Sequence, residues 1–262
     1  MTTIDRVVRH VESLSGHPLG PDEGVHHGLA DRTITAATVS WMASPEAIRS
    51  AGQSGHELLI VHESLYYPYD VLHMPDPPAD WEDWLPNRRR RELLDRHGLT
   101  CLRVHGSADD ICVLDAFVEL LGLGEPVVQD GPARVYEIPP CSLAELVERV
   151  KRRLGLPHVR VADAGHFDRV VRRVGLPWGG LGLFVNVAFQ QRLAALNPDV
   201  FIAGESDSYG MRFAVETGIP MIETSHEASE NPGLKRFTAL LAEAFPEVRL
   251  RFFEDPCVWR IA

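Results

Sequence analysis

Short apolar runs alternate with amphipathic stretches along almost the whole chain, and this constrains the fold more than any other feature. Ile4, Val7, Val8, Val11 and Leu14 recur at helical spacing, so the chain opens with an amphipathic helix. Residues 33–42 are rich in β-formers. Ser44 and Pro45 then supply an N-cap and a proline at the first helical position of a helix ending near Gly52. The run ELLIV is a short strand of the buried parallel type, and residues 99–104 form another. A helix from about Asp110 follows, with Leu114, Phe117, Val118 and Leu121 on one face. Ser142 and Glu145 form a capping box before Leu143, Leu146, Val147, Val150 and Leu154. Strands near 159–162 and 167–174 and a helix around 184–196 lead into strands at 199–203, 219–223 and 248–253, separated by helices. This order predicts an α/β protein with largely parallel mixed sheets. The Gly- and Pro-dense stretch GLGEPVVQDGPARVYEIPP reads as a crossover between two α/β domains, residues 1–128 and 129–262, with the C-terminal segment free to pack back on the first.

At 262 residues the chain can bury a substantial core, and its 45% hydrophobic and 24% charged content are those of a globular protein. A net charge of −11 argues against nucleic acid as a partner, since phosphate contacts need Lys and Arg. An anionic substrate needs a bound cation or a local arginine cluster here. Cys101, Cys112, Cys141 and Cys257 show neither C-x-x-C nor zinc-finger spacing and read as reduced thiols, which with no signal peptide predicts a cytoplasmic protein. The apolar runs are too short for a membrane span.

Several expected strands run out into His, Asp or Glu residues, and the ends of strands are where ligands bind in open α/β sheets. His62 and Glu63 follow ELLIV, His105 and Asp109 follow the strand after Leu99, Glu205 follows DVFIAG, and His226 and Glu230 follow IPMIETS. Each has a bland reading. His62 with Glu63 is a common surface pair, and Asp109 is a natural helix cap. His226 and Glu230, four apart, share one face if helical, whereas Pro232 as a first helical residue places them just before the helix. His26 and His27 sit in a Gly-rich loop and read as incidental, and the arginines at 88–91 read as a solvated helical face. There is no H-E-x-x-H, G-x-S-x-G or Walker A motif, and GLPWGGLG lacks the dinucleotide fingerprint.

The order of these clusters resembles the Ngg-interacting-factor-three-like family, also called GTP cyclohydrolase I type 2 homologues. His62-Glu63-Ser64 stands where that family has His-His-Pro, and His105-Gly106-Ser107-Ala108-Asp109 stands at its His-Thr-Asn-x-Asp. Ala203-Gly204-Glu205 matches Thr-Gly-Asp/Glu, and Ser225-His226 through Glu230 matches the late Gly-His-x-x-x-Glu. YEIPPCSLAELVERVKRRLG is similar to the segment joining the family's two halves. The resemblance implies two α/β domains, a homohexamer and a dinuclear centre of divalent metal ions (Zn, Mn or Fe). It also implies metal ligands His62, Glu63, Asp109, His226 and Glu230, with His105 close by; the expected catalytic proton shuttle is His105 or a carboxylate not fully engaged by metal.

Three departures stand out. Glu63 replaces a second His, which favours harder cations such as Mn²⁺ or Fe²⁺ over Zn²⁺. Tyr209 is nearest to a further family His, and the Gly-rich turn is reduced to Trp178-Gly179-Gly180-Leu181-Gly182. The expected activity is metal-dependent hydrolysis of a nucleotide-like or phosphorylated small molecule. The alternative is a metal-binding hexameric scaffold without turnover.

Overall fold

The computed structural model describes residues 1–163, 165–256 and 258–259; Cys257 lies outside them, and Cys101 and Cys141 are free thiols. By contact the chain divides into two compact units: Met1–Val113 with Gly233–Ala262, and Leu114–Pro232. The sequence reading placed the division at 128/129. In the division by contact, residues 114–121 fall in the second unit, their apolar face packed on the helix that follows the hairpin.

The first unit begins with β1 (Thr2–Thr3), α1 (Ile4–Ser15), β2 (Gly24–His27), β3 (Thr33–Ile34), β4 (Ala36–Ser40), α2 (Pro45–Gln53) and β5 (Leu58–Val61). After a long loop come α3 (Leu85–His97), β6 (Thr100–Arg103), the single turn α4 (Gly106–Ala108) and a π-turn at Asp109–Val113. Ser44 caps α2 through the Ala47 amide, as its sequence indicates.

The second unit runs through α5 (Leu114–Leu121), β7 (Pro126–Asp130), β8 (Ala133–Ser142), α6 (Leu143–Leu154), β9 (Arg160–Ala162), β10 (Val170–Gly175), α7 (Val187–Ala194), β11 (Val200–Ala203), α8 (Ser208–Glu216) and β12 (Met221–Glu223). The capping box at Ser142 and Glu145 is present. The stretch read as a crossover is the antiparallel hairpin β7–β8, turned at Gly131 with φ +55°. The chain leaves this unit along α9 (His226–Ala244) and ends the first with β13 (Arg249–Phe253). Pro232 lies inside α9 rather than at its start.

In the first unit the sheet order is β13-β4-β5-β6-β2, parallel except for β2. Its central strands β4, β5 and β6 are buried on both faces, as a parallel sheet requires, while the edge strands β2 and β13 are only partly so. Leu59, Val61 and Cys101 pack with Ile48, Ala51 and Leu94 of α2 and α3. Leu58 and Ile60 face Val7 of α1, Leu241 of α9 and Phe245 just past it. Burying each of these side chains contributes roughly 1.5–3 kcal/mol. The second sheet, β7-β8-β10-β11-β12-β9, is parallel only at its centre, β10-β11-β12. Each unit thus carries a parallel centre, and within each sheet the parallel strands end at one edge. Among the described residues no helix is long and apolar enough to cross a membrane.

Of the arginines at 88–91, Arg88 and Arg89 are exposed as expected, Arg91 is partly exposed, and Arg90 is structural. Arg90 is buried, donates to the Leu65 carbonyl and lies over the Tyr67 ring, while Arg91 pairs with Glu82.

Candidate functional site

In the first unit the ends of β4, β5 and β6 lie side by side. The Trp41 carbonyl, just past β4, accepts from the backbone N–H groups of both His62 and Glu63 at 3.1 and 2.8 Å. That turns the chain sharply after β5, so the adjacent pair buries together, His62 1% and Glu63 6% exposed. Val61 registers with Arg103 across to β6, which sets His62 beside Val104. The His62 Nδ1 lies 3.1 Å from the Val104 carbonyl, an acceptor only, so the ring proton sits on Nδ1 and Nε2 carries the lone pair. Nε2 is 3.7 Å from Asp109 Oδ1, and the His62 and His105 rings meet edge-on at 4.9 Å. His62, Glu63 and His105 each offer one ligand atom within 4.8 Å of the others.

Asp109 stands at the start of the π-turn, a local irregularity that recurs at functional sites. The capping that its sequence position suggested falls to Glu23. That carboxylate accepts from the backbone N–H of His105 and Ser107 and from the Ser107 hydroxyl, at 2.6, 3.0 and 2.7 Å.

Under this cluster lies Arg103, a fully buried guanidinium. It donates to the His62 carbonyl, the Asp22 carbonyl, Asp70 Oδ1 and the Tyr69 hydroxyl at 2.8–3.2 Å, and pairs with the Asp22 carboxylate at 3.2 Å. Asp22 also takes the His105 Nδ1 at 2.8 Å. That hydrogen bond, working against partial burial and aided by the Arg103 charge, holds the Asp22 carboxyl down at about 2. Burial pushes the Tyr69 phenol up.

In the second unit β11 ends at Ala203, and Gly204 and Glu205 follow. β12 runs parallel beside it and leads through Thr224 and Ser225 into α9. Because α9 starts at His226, His226 and Glu230 fall on one face, and their Nε2 and Oε1 atoms are 3.1 Å apart. His226 Nδ1 is 3.1 Å from Glu205 Oε2. Glu205 therefore serves as the outer partner that orients the imidazole. The reduced Gly turn explains itself here. A Cβ on Gly179 (φ +53°) would sit 2.1 Å from Glu230 Oε1, so only glycine lets this backbone lie against the carboxylate. The Gly179 amide is held by Ser229 Oγ at 2.9 Å.

His26 and His27 lie outside these clusters: His27 pairs with Asp95 and His26 stacks near His73. Tyr209 is exposed, its ring against Phe184. Asp22, Glu23 and Arg103 were missed from the sequence. The only available signal was an acidic pair opening the loop before a strand.

His26 gives a pH test of the first unit. Both its ring nitrogens are buried without hydrogen-bond partners, and burial, followed by the Arg103 and His73 charges, pulls the ring down to about 4. In the unfolded chain the ring titrates near 6.5. Between those values only the unfolded state takes the proton, so this contribution to stability is whole above about 6.5 and lost as pH falls to about 4. The drop in Tm from pH 7.5 to 4.5 is expected to be larger in the wild type than in His26→Gln. Equal drops would refute the assignment.

Two α/β units, each closing its parallel strand ends with a histidine–carboxylate cluster, define a class of candidate metal-binding proteins. The chain belongs to the DUF34/NIF3 (NGG1p interacting factor 3) family, whose model matches residues 20–256. It is 22% identical over 231 residues to a Clostridium perfringens protein named GTP cyclohydrolase 1 type 2 homolog, covering 84% of this chain and 82% of that one. Among solved structures it is similar to the protein ybgI, of unknown function (TM-score 0.78, 20% identity, 98% and 99% of the two chains covered). It also resembles a Bacillus cereus protein related to NIF3 (TM-score 0.77, 13% identity, 99% of each chain covered).

Proposed function

We propose that the chain is a metal-dependent hydrolase with a dinuclear centre. His62, Glu63 and Asp109 of the first unit would be metal ligands, as would His226 and Glu230 of the second. One observation carries the reading: the ligand histidines are anchored at Nδ1, His62 by a backbone carbonyl and His226 by Glu205. Anchoring of that kind fixes the tautomer and aims the Nε2 lone pair, as in metal sites generally. The 3.1 Å between His226 Nε2 and Glu230 Oε1 also suits neighbouring ligands on one ion, since bonds of about 2.1 Å at right angles span about 3 Å.

Mixed nitrogen and carboxylate donors, with Glu63 in place of a second imidazole, favour Mn²⁺ or Fe²⁺. Bound metal would supply Lewis acidity and offset the carboxylates, so that an anionic substrate can approach a chain of net charge −11. The name of the Clostridium perfringens relative supports a nucleotide-like or phosphorylated small molecule as the substrate class. In the same reading the chain assembles as a homohexamer.

Elemental analysis of protein purified without chelator tests the proposal. About two metals per chain are expected, falling by half or more in His62→Ala and in His226→Ala. Fewer than about 0.2 per chain, unchanged by either substitution, would sink it.

A further inference from the structure

We propose that Asp22 is a positioning residue that fixes His105 with its proton on Nδ1, so that Nε2 works as the proton acceptor of the site. The inference rests on the hydrolytic reading only for its catalytic consequence; the positioning itself stands on the first unit's geometry.

Backbone pairing comes first. β2 runs antiparallel to β6 with Gly24 opposite Arg103, which sets the residues just before β2 beside those just after β6. Asp22 and His105 are thereby neighbours although 83 positions separate them. Asp22 Oδ2 then meets two groups, Arg103 Nη1 at 3.2 Å and His105 Nδ1 at 2.8 Å. A carboxylate paired with a guanidinium is ionised and can only accept, so the hydrogen between Asp22 and His105 belongs to Nδ1. The neutral ring consequently carries its lone pair on Nε2.

The surroundings agree. Arg103 Nη2 donates to the Tyr69 oxygen at 2.8 Å, which leaves the phenol hydrogen to point elsewhere, and His105 Nε2 is 3.5 Å from that oxygen. Arg103, Asp22, His105 and Tyr69 thus close a ring of polar contacts whose donor directions are mutually consistent. Glu23 holds the His105 backbone N–H from the same loop, so both the position and the tautomer of His105 are set by residues 22 and 23. In the reaction His105 takes one proton at Nε2 from the attacking water and returns it to the leaving group. Asp22 keeps its charge throughout and stabilises the imidazolium formed between those steps.

Long-range ¹H–¹⁵N correlation spectra of histidine-labelled full-length protein, loaded with diamagnetic Zn²⁺, read the tautomer directly. Loss of one signal set in His105→Gln assigns the residue. The wild type is expected to show the Nδ1–H form, Asp22→Ala a shift towards Nε2–H, and Asp22→Asn a return towards the wild-type form, because the amide oxygen can take the acceptor place. An Nε2–H tautomer in the wild type, or an unchanged one in Asp22→Ala, overturns the proposal. Turnover of bis(p-nitrophenyl) phosphate with Mn²⁺ should fall at least about tenfold in Asp22→Ala with metal content unchanged. Metal lost in parallel with turnover would assign Asp22 to the metal site instead and also overturn it. Absence of turnover in the wild type would count against the hydrolytic reading alone, since the tautomer measurement decides the positioning by itself.

Discussion

Replacing Arg103 with methionine is expected to cost the folded chain about 3 kcal/mol, the lower end of what removing one partner from a buried ion pair costs. The side chain is fully buried, while its partners Asp22 and Asp70 are 27% and 30% exposed and recover some hydration when it is lost. Five contacts disappear together: two carboxylates, a phenol and two backbone carbonyls. Methionine fills much of the volume and satisfies none of them. Lysine should fall between, since a point charge cannot reach partners arranged around a planar fork. Against a typical stability of about 5–15 kcal/mol this is a large fraction. Urea denaturation checks it: the midpoint should drop with the slope unchanged. The exposed pair Arg192–Asp130 is the control, where substitution should leave the midpoint where it is. If Arg103→Met moved the midpoint no more than that control, the buried network would be worth little.

The contrast between these arginines marks how far the sequence could be read. Strand ends were legible because buried parallel strands are short, apolar and bounded by turn residues. His62, His105, Glu205 and His226 therefore lie just past the strands expected for them. Caps were legible too, since Ser44 with Pro45 and Ser142 with Glu145 are local chemistry. Long-range partnerships were not. Arg103 looks like any polar residue at the end of a strand, and nothing near Asp22 in sequence says that β2 will return it to the end of β6. Pro232 misled for a related reason. A proline costs a helix one hydrogen bond, to the Ala228 carbonyl, and the sequence could not show that α9 would tolerate it. The hairpin β7–β8 reads in the sequence like a crossover because Gly and Pro mark turns of either kind.

Gly204→Ala is expected to be the most damaging single methyl in the second unit. The added Cβ would lie 2.4 Å from both the backbone nitrogen and the oxygen of Gly179, and 2.6 Å from Ser229 Oγ. Two of these are main-chain atoms and cannot swing aside. Nor can Gly204 retreat: its N–H donates to the Pro177 carbonyl, its carbonyl accepts from the Thr224 and Ser225 amides, and the Glu205 amide donates to Gly179. Relief requires the Gly-rich turn to move off α9, away from the Glu230 carboxylate it lies against. Overpacking of this kind costs about 1–3 kcal/mol even where side chains can adjust, so a loss of about 3 kcal/mol is expected here. Gly124→Ala, with open space around the new methyl, provides the reference and should change stability by less than about 0.5 kcal/mol. The structural damage should reach function as well. On the proposed metal-binding reading, Glu205 orients His226 through Nδ1 and Glu230 lies beside its Nε2, so metal uptake should fall with stability in Gly204→Ala and be unchanged in Gly124→Ala. A Gly204→Ala protein that melts with the wild type and takes up added metal as the wild type does would show that the turn yields, and that glycine is not what seats this cluster.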